Sequence, residues 1–518
     1  MSLYQEIYNR NLNNLNGVAL YYENKKILFH DFFANIRKMI NYFKTLNINK
    51  GDIITISLPN IPINVYAFYA LNEIGAIQNI IHPLTKIEQI IESMKLTNSK
   101  YGIVLMHEYF NKNKKGLSNL IYVNPFDDFI LNNIYSLKYK KDKNILLLND
   151  FIKYKENTDL FNNDDSLTSI YLHSGGTTGV PKIIELSNDS INNLAKKVPY
   201  IVNKSLKGKS MLAVLPTFHG FGLGMGIHAP LFNQASSALM MKFNSDLVVK
   251  WINQNKVNLI IGVPLLYQKL ILNKNFQKAK LSNLEFCFIG GDVVQTKLIN
   301  DFNDIMISKH SNCRLLEGYG LTETVTVCAV NTLENYKIGS VGKPLKNIDV
   351  LVYEDKILAR NEIGEICINS NTMMNGYLND LIASNDIKIK INEKLYIKSG
   401  DLGYIDNEGY IYIKGRKKRV FKISGINVYP LEIEKIVLEN NDIFDAALEY
   451  FANPKPHTNL YIILNKNYKG NQNELISLIY KTLNERLIKY MIPHKIIVLD
   501  EFPKTKIGKI DHDKFLDE

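Results

Sequence analysis

Two apolar runs, residues 166–172 and 182–187, enclose the loop Ser174-Gly-Gly-Thr-Thr-Gly-Val-Pro-Lys182. Both flanks are short and rich in Ile, Leu and Tyr, and they read as strands, so the loop joins a strand to a strand. Glycines let the backbone approach an anion and turn its N–H groups toward it; threonine hydroxyls add donors, and the lysine adds a positive charge. The combination is suited to phosphate. A Walker A loop runs G-x-x-x-x-G-K-[ST] into a helix. Here Val180 stands five residues after Gly175 and Pro181 precedes the lysine, so that loop is excluded.

The rest of the chain indicates the fold around this loop. Helix-like residues 28–46 alternate with apolar strands at 53–57 and 101–105, and alternation resumes from 167 to 330. This is the mark of an α/β architecture with largely parallel sheets. A Lys- and Asn-rich stretch, 138–165, reads as a surface connection. Residues 341–415 change to short strands and turns and end in a hairpin at 403–413. Beyond it, Pro430 takes a first helical position before 431–439, strands follow at 446–451 and 460–464, and a helix spans 472–487. A chain of 518 residues exceeds what one hydrophobic core supports. The expected division is a large region, 1–415, and a small α+β lid, 416–518.

Composition removes several function classes. The 62 basic against 51 acidic residues give a net charge of +11, a mild excess for this length. The densest basic cluster is only Arg416-Lys-Lys-Arg419, so no nucleic-acid partner is expected. Cys287, Cys313, Cys328 and Cys367 are scattered without a C-x-x-C pair. That argues against a disulfide framework or zinc site and suits a reducing compartment. The ten histidines show no paired ligand spacing. With no leader-like start and no apolar run of bilayer length, a cytoplasmic location is expected and no transmembrane segment.

Further motifs follow the loop in order. They are Leu215-Pro-Thr-Phe-His-Gly-Phe-Gly222, Gly262-Val-Pro264, Ile289-Gly-Gly291, Glu317-Gly-Tyr-Gly-Leu-Thr-Glu-Thr324, Gly339-Ser-Val-Gly-Lys-Pro-Leu345, Tyr396-Ile-Lys-Ser-Gly-Asp401, Gly415-Arg-Lys-Lys-Arg-Val-Phe-Lys-Ile-Ser-Gly425 and Pro503-Lys-Thr-Lys-Ile-Gly-Lys509. Together with the loop, the series closely resembles the adenylate-forming superfamily of acyl-CoA synthetases, aryl-CoA ligases, luciferase and nonribosomal peptide adenylation domains. The resemblance spans most of the chain. It implies an N-terminal region of parallel α/β sheets plus a distorted β-barrel, with a mobile C-terminal domain hinged near Lys418. The implied activity is attack of a carboxylate on the α-phosphorus of ATP, release of pyrophosphate, and transfer of the acyl group to a thiol. Both reactants are anionic, so cations and oriented dipoles must offset their repulsion.

The resemblance also assigns roles residue by residue. Ser174, Gly175, Gly176, Thr177, Thr178, Gly179 and Lys182 would wrap the β- and γ-phosphates. Thr322 would contact the α-phosphate and Glu323 would hold Mg²⁺, a hard ion that prefers oxygen. Asp401 would accept both ribose hydroxyls, beside Arg416. Tyr319 would offer its ring to adenine, with Gly290, Gly291, Glu317, Gly318 and Gly320 framing the base and the acyl pocket. Lys509 would bridge the α-phosphate and the substrate carboxylate in the transition state. Lys422, with Gly425, matches the face presented for thioester formation. Arg419 and Ser424 depart from the common pattern there, in place of an acidic residue and a lysine.

Substrate choice is the least determined part. Amino-acid-activating members place an aspartate after the phenylalanine of the 215–222 motif, whereas this chain has His219 after Phe218, as in members activating aryl and fatty acids. His219 would gate the carboxylate, and Phe221, Gly222, Gly224, Met225 and Val263 would line an apolar acyl pocket. Asp292 is read either as a substrate contact or as a support for the nucleotide. The chain ends nine residues after Lys509, so a fused carrier domain is not expected, and the thiol belongs to coenzyme A or to a separate carrier protein. The different-class alternative is a nucleotide-binding sensor without turnover.

Overall fold

The computed structural model describes residues 1–106, 119–125, 146–157, 159, 164–174, 182–423, 426–452, 456–504 and 510–516. Among these residues one eight-stranded sheet runs in the order Gly376–Tyr377, Ile183–Ser187, Thr168–His173, Ile77–Ile80, Ile53–Ser57, Tyr101–Leu105, Leu120–Val123, Leu146–Leu147. From Thr168–His173 to Leu146–Leu147 every pairing is parallel. At the other edge Ile183–Ser187 turns back antiparallel on Thr168–His173, and Gly376–Tyr377 adds to it. The expected strand–loop–strand frame of the 174–182 segment is therefore present, with Ser174 N–H donating to Lys182 O at 2.8 Å and Lys182 N–H to Ser174 Oγ at 3.0 Å. Gly175 to Pro181 lie outside the described residues.

A second, nine-stranded sheet carries the parallel run Leu315–Gly320, Phe286–Ile289, Leu259–Gly262, Ser210–Ala213, Ser236–Leu239 and Val18–Tyr22. Parallel strands buried on both faces need continuous apolar sequence, and Leu259–Gly262 and Phe286–Ile289 are buried throughout. Helices fill the space between and around the sheets. Phe29–Thr45 buries Phe29, Phe32, Phe33, Ile36, Met39, Ile40 and Phe43, the three-and-four spacing of one helical face. Pro62–Ile74 is buried nearly all round, with Pro62 at its start and left-handed Gly75 at its end. The fold class is thus α/β with largely parallel sheets. A third, antiparallel sheet of short strands, Ile348–Glu354 through Ile411–Arg416, forms a half-barrel beside them.

The 138–165 stretch is more structured than its polarity suggests. Leu146–Leu147 is the last strand of the first sheet, and the following 3₁₀ turn, Leu148–Lys153, buries Leu148 and Phe151. After residue 420 the chain builds a separate three-stranded sheet, Ile443–Phe451, His457–Leu464 and Lys495–Val498, with helices Pro430–Val437 and Gln472–Arg486. Its core, including Ile433, Val437, Leu448, Leu460, Ile462, Ile479 and Leu483, draws only on residues from Phe421 onward. All four cysteines are buried and free. Among the described residues no helix is long and apolar enough to cross a membrane.

Candidate active site

Open α/β sheets bind ligands beyond the carboxyl ends of their parallel strands. Four motif segments sit there on the second sheet. Ser210–Ala213 leads into the His219 segment, Leu259–Gly262 into Val263, Phe286–Ile289 into Gly290-Gly291, and Leu315–Gly320 carries Glu317 to Gly320 at its own end. Strand polarity, rather than any single contact, brings these sequence-distant motifs to one edge.

The segment from Tyr319 to Glu323 joins two side-chain clusters. At its first end Tyr319 donates its hydroxyl to Asp401 Oδ2 at 2.5 Å, while Arg416 Nε pairs with Asp401 Oδ1 at 3.0 Å. Asp401 and Arg416 are register partners across an antiparallel hairpin. Buried Glu365, which the sequence reading did not single out, fastens this hairpin. It accepts from Gly400 N–H at 3.1 Å and from Lys417 Nζ at 2.8 Å. At the other end Tyr377, also missed, donates to Glu323 Oε1 at 2.9 Å and carries Lys182 Nζ 4.6 Å from its ring centroid. The signal for Tyr377 lies in strand pairing, since Tyr377 opposes Ile184, the second residue after Lys182.

Between the clusters the backbone is strained. Thr322–Thr324 is one 3₁₀ turn, and Val325 follows at φ +66 and ψ −59, with Thr326 N–H donating to Thr324 O at 2.8 Å. This is a γ-turn centred on a buried β-branched residue, a conformation that persists only where the surroundings enforce it. Two glycines do so. A Cβ on Gly320 would lie 1.5 Å from Thr326 O, and one on Gly220 would lie 1.7 Å from Val325 O. The Glu323 turn is thereby clamped against the His219 segment.

Of the expected acyl-pocket residues, His219, Phe221 and Val263 are half-buried, and Val263 Cγ1 lies 3.7 Å from where a Cβ on Gly291 would project. Gly222, Gly224 and Met225 are buried in a π-helix, Phe221–His228, a form that recurs at functional sites. A Cβ on Gly222 would meet the backbone at Pro216 O at 2.1 Å, so packing demands glycine there, whereas one on Gly224 would meet only the end of the Leu194 side chain at 2.7 Å. His228 at its end is structural. It is fully buried between Tyr69 and Asn192, and burial pushes its pKa down to about 3.

The C-terminal part approaches the same edge. Burial raises the Glu317 carboxyl to about 7, with the Lys435 ammonium pulling the other way, and burial lowers Lys435 in turn. Asp292 is exposed, accepts from Val293 N–H at 2.8 Å, and adds its negative charge to the environment of Asp445, which desolvation raises to about 6. Lys418 and Lys422 are exposed. Arg419 has turned inward, pairing with buried Glu434 at 2.7 Å and donating to Leu448 O at 3.1 Å. Gly425 and Lys509 lie outside the described residues, although Lys504 and Ile510, which flank the 505–509 segment, form an antiparallel bridge.

Fold and cleft together define an adenylate-forming enzyme. A family model described as AMP-binding enzyme matches residues 9–378, and the chain belongs to that family. It is 25% identical to a long-chain-fatty-acid–CoA ligase of Bacillus subtilis, over 96% of this chain and 91% of that protein. Its fold matches a crystal structure of an anthranilate CoA ligase in complex with anthranoyl-AMP, with a TM-score of 0.86, 20% identity and coverage of 99% and 96%. It also matches an O-succinylbenzoate coenzyme A synthetase from Bacillus subtilis in complex with ATP and magnesium ion, with a TM-score of 0.80, 22% identity and 98% of both chains. The chain is an acid–thiol ligase of this family.

Proposed function

We propose that this chain converts a fatty or aryl carboxylic acid to its acyl-AMP with release of pyrophosphate and then to the thioester of coenzyme A, in the cytoplasm. The observation that carries the residue assignment is the Tyr319–Glu323 segment, which ties the Asp401–Arg416 carboxylate–guanidinium pair at one end to the Glu323 carboxylate at the other, where Tyr377 holds Glu323 through its hydroxyl and Lys182 over its ring. That arrangement of groups suits a nucleoside polyphosphate, a diol at one end and an anionic chain at the other.

In this reading Asp401 takes the ribose hydroxyls. Each carboxylate oxygen has more than one acceptor site, so the bonds from Tyr319 and Arg416 orient it without saturating it. Tyr319, held by its hydroxyl, presents its ring beside adenine, framed by Gly290, Gly291, Glu317, Gly318 and Gly320. Ser174 and Lys182, with Gly175, Gly176, Thr177, Thr178 and Gly179, receive the β- and γ-phosphates, and Thr322 the α-phosphate. Among the described residues no group of three or more His, Cys, Asp or Glu could hold a metal alone. A single half-buried carboxylate, Glu323, fits Mg²⁺, which binds through one or two carboxylates together with substrate phosphates and water. When bound, that ion would neutralise charge developing on the departing pyrophosphate.

His219, half-buried against the ring of Phe218 with centroids 4.0 Å apart, orients the incoming carboxylate. Phe221 and Val263, with Gly222, Gly224 and Met225 behind them, form the acyl wall. Lys509 supplies the charge matching the transition state. Residues 1–415 and 416–518 act as two bodies that reorient about Lys418 between the half-reactions, a division supported by the separate C-terminal core. Lys422 and Gly425 would then face the thiol. Coenzyme A is preferred to a carrier protein because the curated relative is a CoA ligase. The buried free cysteines suit a reducing compartment.

Carboxylate-dependent exchange of labelled pyrophosphate into ATP across short, medium, long, aromatic and amino acids is the test. Exchange with aryl or fatty acids, followed by thioester formation on adding coenzyme A, is expected. Exchange with amino acids alone, or none from protein that binds ATP, would overturn the reading.

A further inference from the structure

We propose that Tyr377 is a positioning residue that keeps the Glu323 carboxylate and the Lys182 ammonium apart and aims both at one polyphosphate. The inference rests on the reading of Glu323 as the metal carboxylate and deepens it. Tyr377 uses two chemically different surfaces at once. Its hydroxyl donates to Glu323 Oε1 at 2.9 Å, and its ring supports Lys182 Nζ at 4.6 Å from the centroid. The negative face of an aromatic ring attracts a cation without neutralising it. A phenol hydroxyl likewise orients a carboxylate while leaving it charged.

The alternative arrangement is a direct ion pair between Lys182 and Glu323, and among the described residues each meets Tyr377 rather than the other. That matters because a lysine already neutralised by a carboxylate attracts phosphate weakly, and a carboxylate already neutralised by a lysine attracts a divalent cation weakly. The interposed ring lets opposite charges share one small site while each stays available to its own part of the ligand.

The backbone around Tyr377 is fixed from several sides, as a positioning role requires. Tyr377 opposes Ile184 in the antiparallel pair, and Leu378 N–H donates to Ile183 O at 2.8 Å, one residue beyond Lys182. Met374 N–H donates to Glu323 O at 2.8 Å, and Tyr377 N–H donates to Ser384 Oγ at 2.8 Å. The short strand Gly376–Tyr377 thus bonds directly to the strand that follows the phosphate loop, while the residues just before it bond to the metal-side turn. The tyrosine ring itself is buried.

The experiment compares full-length wild type with Tyr377→Phe, Tyr377→Leu and Glu323→Gln. Mn²⁺ binding to the complex with α,β-methylene ATP is read by electron paramagnetic resonance, and half-saturating Mg²⁺ is read in pyrophosphate exchange. Tyr377→Phe keeps the ring and loses only the hydroxyl. It is expected to weaken Mn²⁺ and Mg²⁺ by about tenfold, the scale of a hydrogen bond to a charged group, with the acid KM within about twofold of wild type. Tyr377→Leu also removes the support under Lys182 and should weaken metal-free analogue binding by about fivefold more than the Phe variant. If Glu323→Gln weakens Mn²⁺ and Tyr377→Phe does not, the positioning role is overturned while the metal assignment stands. If neither variant weakens Mn²⁺, the metal assignment itself falls, and this inference with it. Should the Leu variant fail to fold, the Phe and Gln variants decide alone.

Discussion

The two parts of the chain that meet at the cleft hold their polar groups in opposite ways. On the sheet side the candidate nucleotide contacts are bonded to each other. Tyr319 holds Asp401, together with Arg416 from the boundary of the two parts at the end of strand Ile411–Arg416, and Tyr377 holds Glu323. In the C-terminal part the lysines expected to act, Lys418 and Lys422, are exposed, while the bonded groups Arg419 and Glu434 lie in its interior. The contrast fits a division of labour in which the sheet side fixes nucleotide geometry before binding and the C-terminal part brings charge by changing position.

The comparison is tested most severely at Lys509, the group the C-terminal part would bring to the reaction. Lys509→Ala should lower the rate of acyl-AMP formation by about a thousandfold, the scale expected when a charge acting chiefly on the transition state is lost. ATP binding should stay within a few-fold, because the sheet side is already assembled. Adenylation near the wild-type rate would remove the C-terminal part from the first half-reaction.

Lys418→Pro asks whether position, and not only charge, is what the C-terminal part contributes. Fixing φ at the proposed hinge should slow thioester formation by about ten- to a hundredfold while sparing adenylation. Single-turnover measurement of the two steps separates them, and equal losses would contradict reorientation at this residue.

Much of the sheet-side frame was legible in the sequence, for a physical reason. Loops that touch phosphate or sit at strand ends need particular residues, such as the glycines of the 174–182 and 317–320 segments, and these stand out locally. The strand–loop–strand frame around Lys182 and the 403–413 hairpin are also local features, and both are present as expected, the hairpin pairing extending further to Asp401 and Arg416. What escaped depends on partners far apart in sequence. Tyr377 is recognisable only once Gly376–Tyr377 is seen to pair with Ile183–Ser187, and Glu365 only once it reaches both Gly400 and Lys417. The strain at Val325 carries no composition signal of its own, because it accompanies a close backbone approach that Gly220 and Gly320 allow from distant parts of the sequence. The polarity of 138–165 hid buried Leu148 and Phe151 for the same reason, since burial there is decided by the neighbouring strands.

Arg419 departs from the common motif, and its structural environment explains what it does here. Its guanidinium meets Glu434, which also accepts from Leu448 N–H at 2.8 Å, and lies 3.6 Å from Glu449. Arg419→Ala would leave the Glu434 carboxylate buried without its cation, a loss on the order of 2 kcal/mol once the partial exposure of the arginine is discounted. The expected readout is earlier urea unfolding and faster proteolysis of the C-terminal part, with adenylation measured below the transition little changed. A variant as stable as wild type would show that this part is not held together by the ion pair.

The smallest expected effect lies where the two parts meet, at Glu317 and Lys435. Burial raises the Glu317 carboxyl from its ordinary 4.5 to about 7, with the Lys435 ammonium working against that rise. A carboxyl with a raised folded-state pKa binds its proton more tightly folded than unfolded. The associated stability is therefore fully present below about pH 4.5 and is lost as pH rises through about 7. Lys435, which burial lowers, contributes a slope of opposite sign, because its unfolded form holds the proton more tightly. Glu317→Gln in a Lys435→Met background isolates the carboxyl. Relative to Lys435→Met alone, it should flatten the fall in unfolding free energy between about pH 5 and 8 by on the order of 1–2 kcal/mol. Parallel curves for the two proteins would mean that Glu317 is solvated in the folded state, and that the C-terminal part rests less closely on the strand end than this geometry has it.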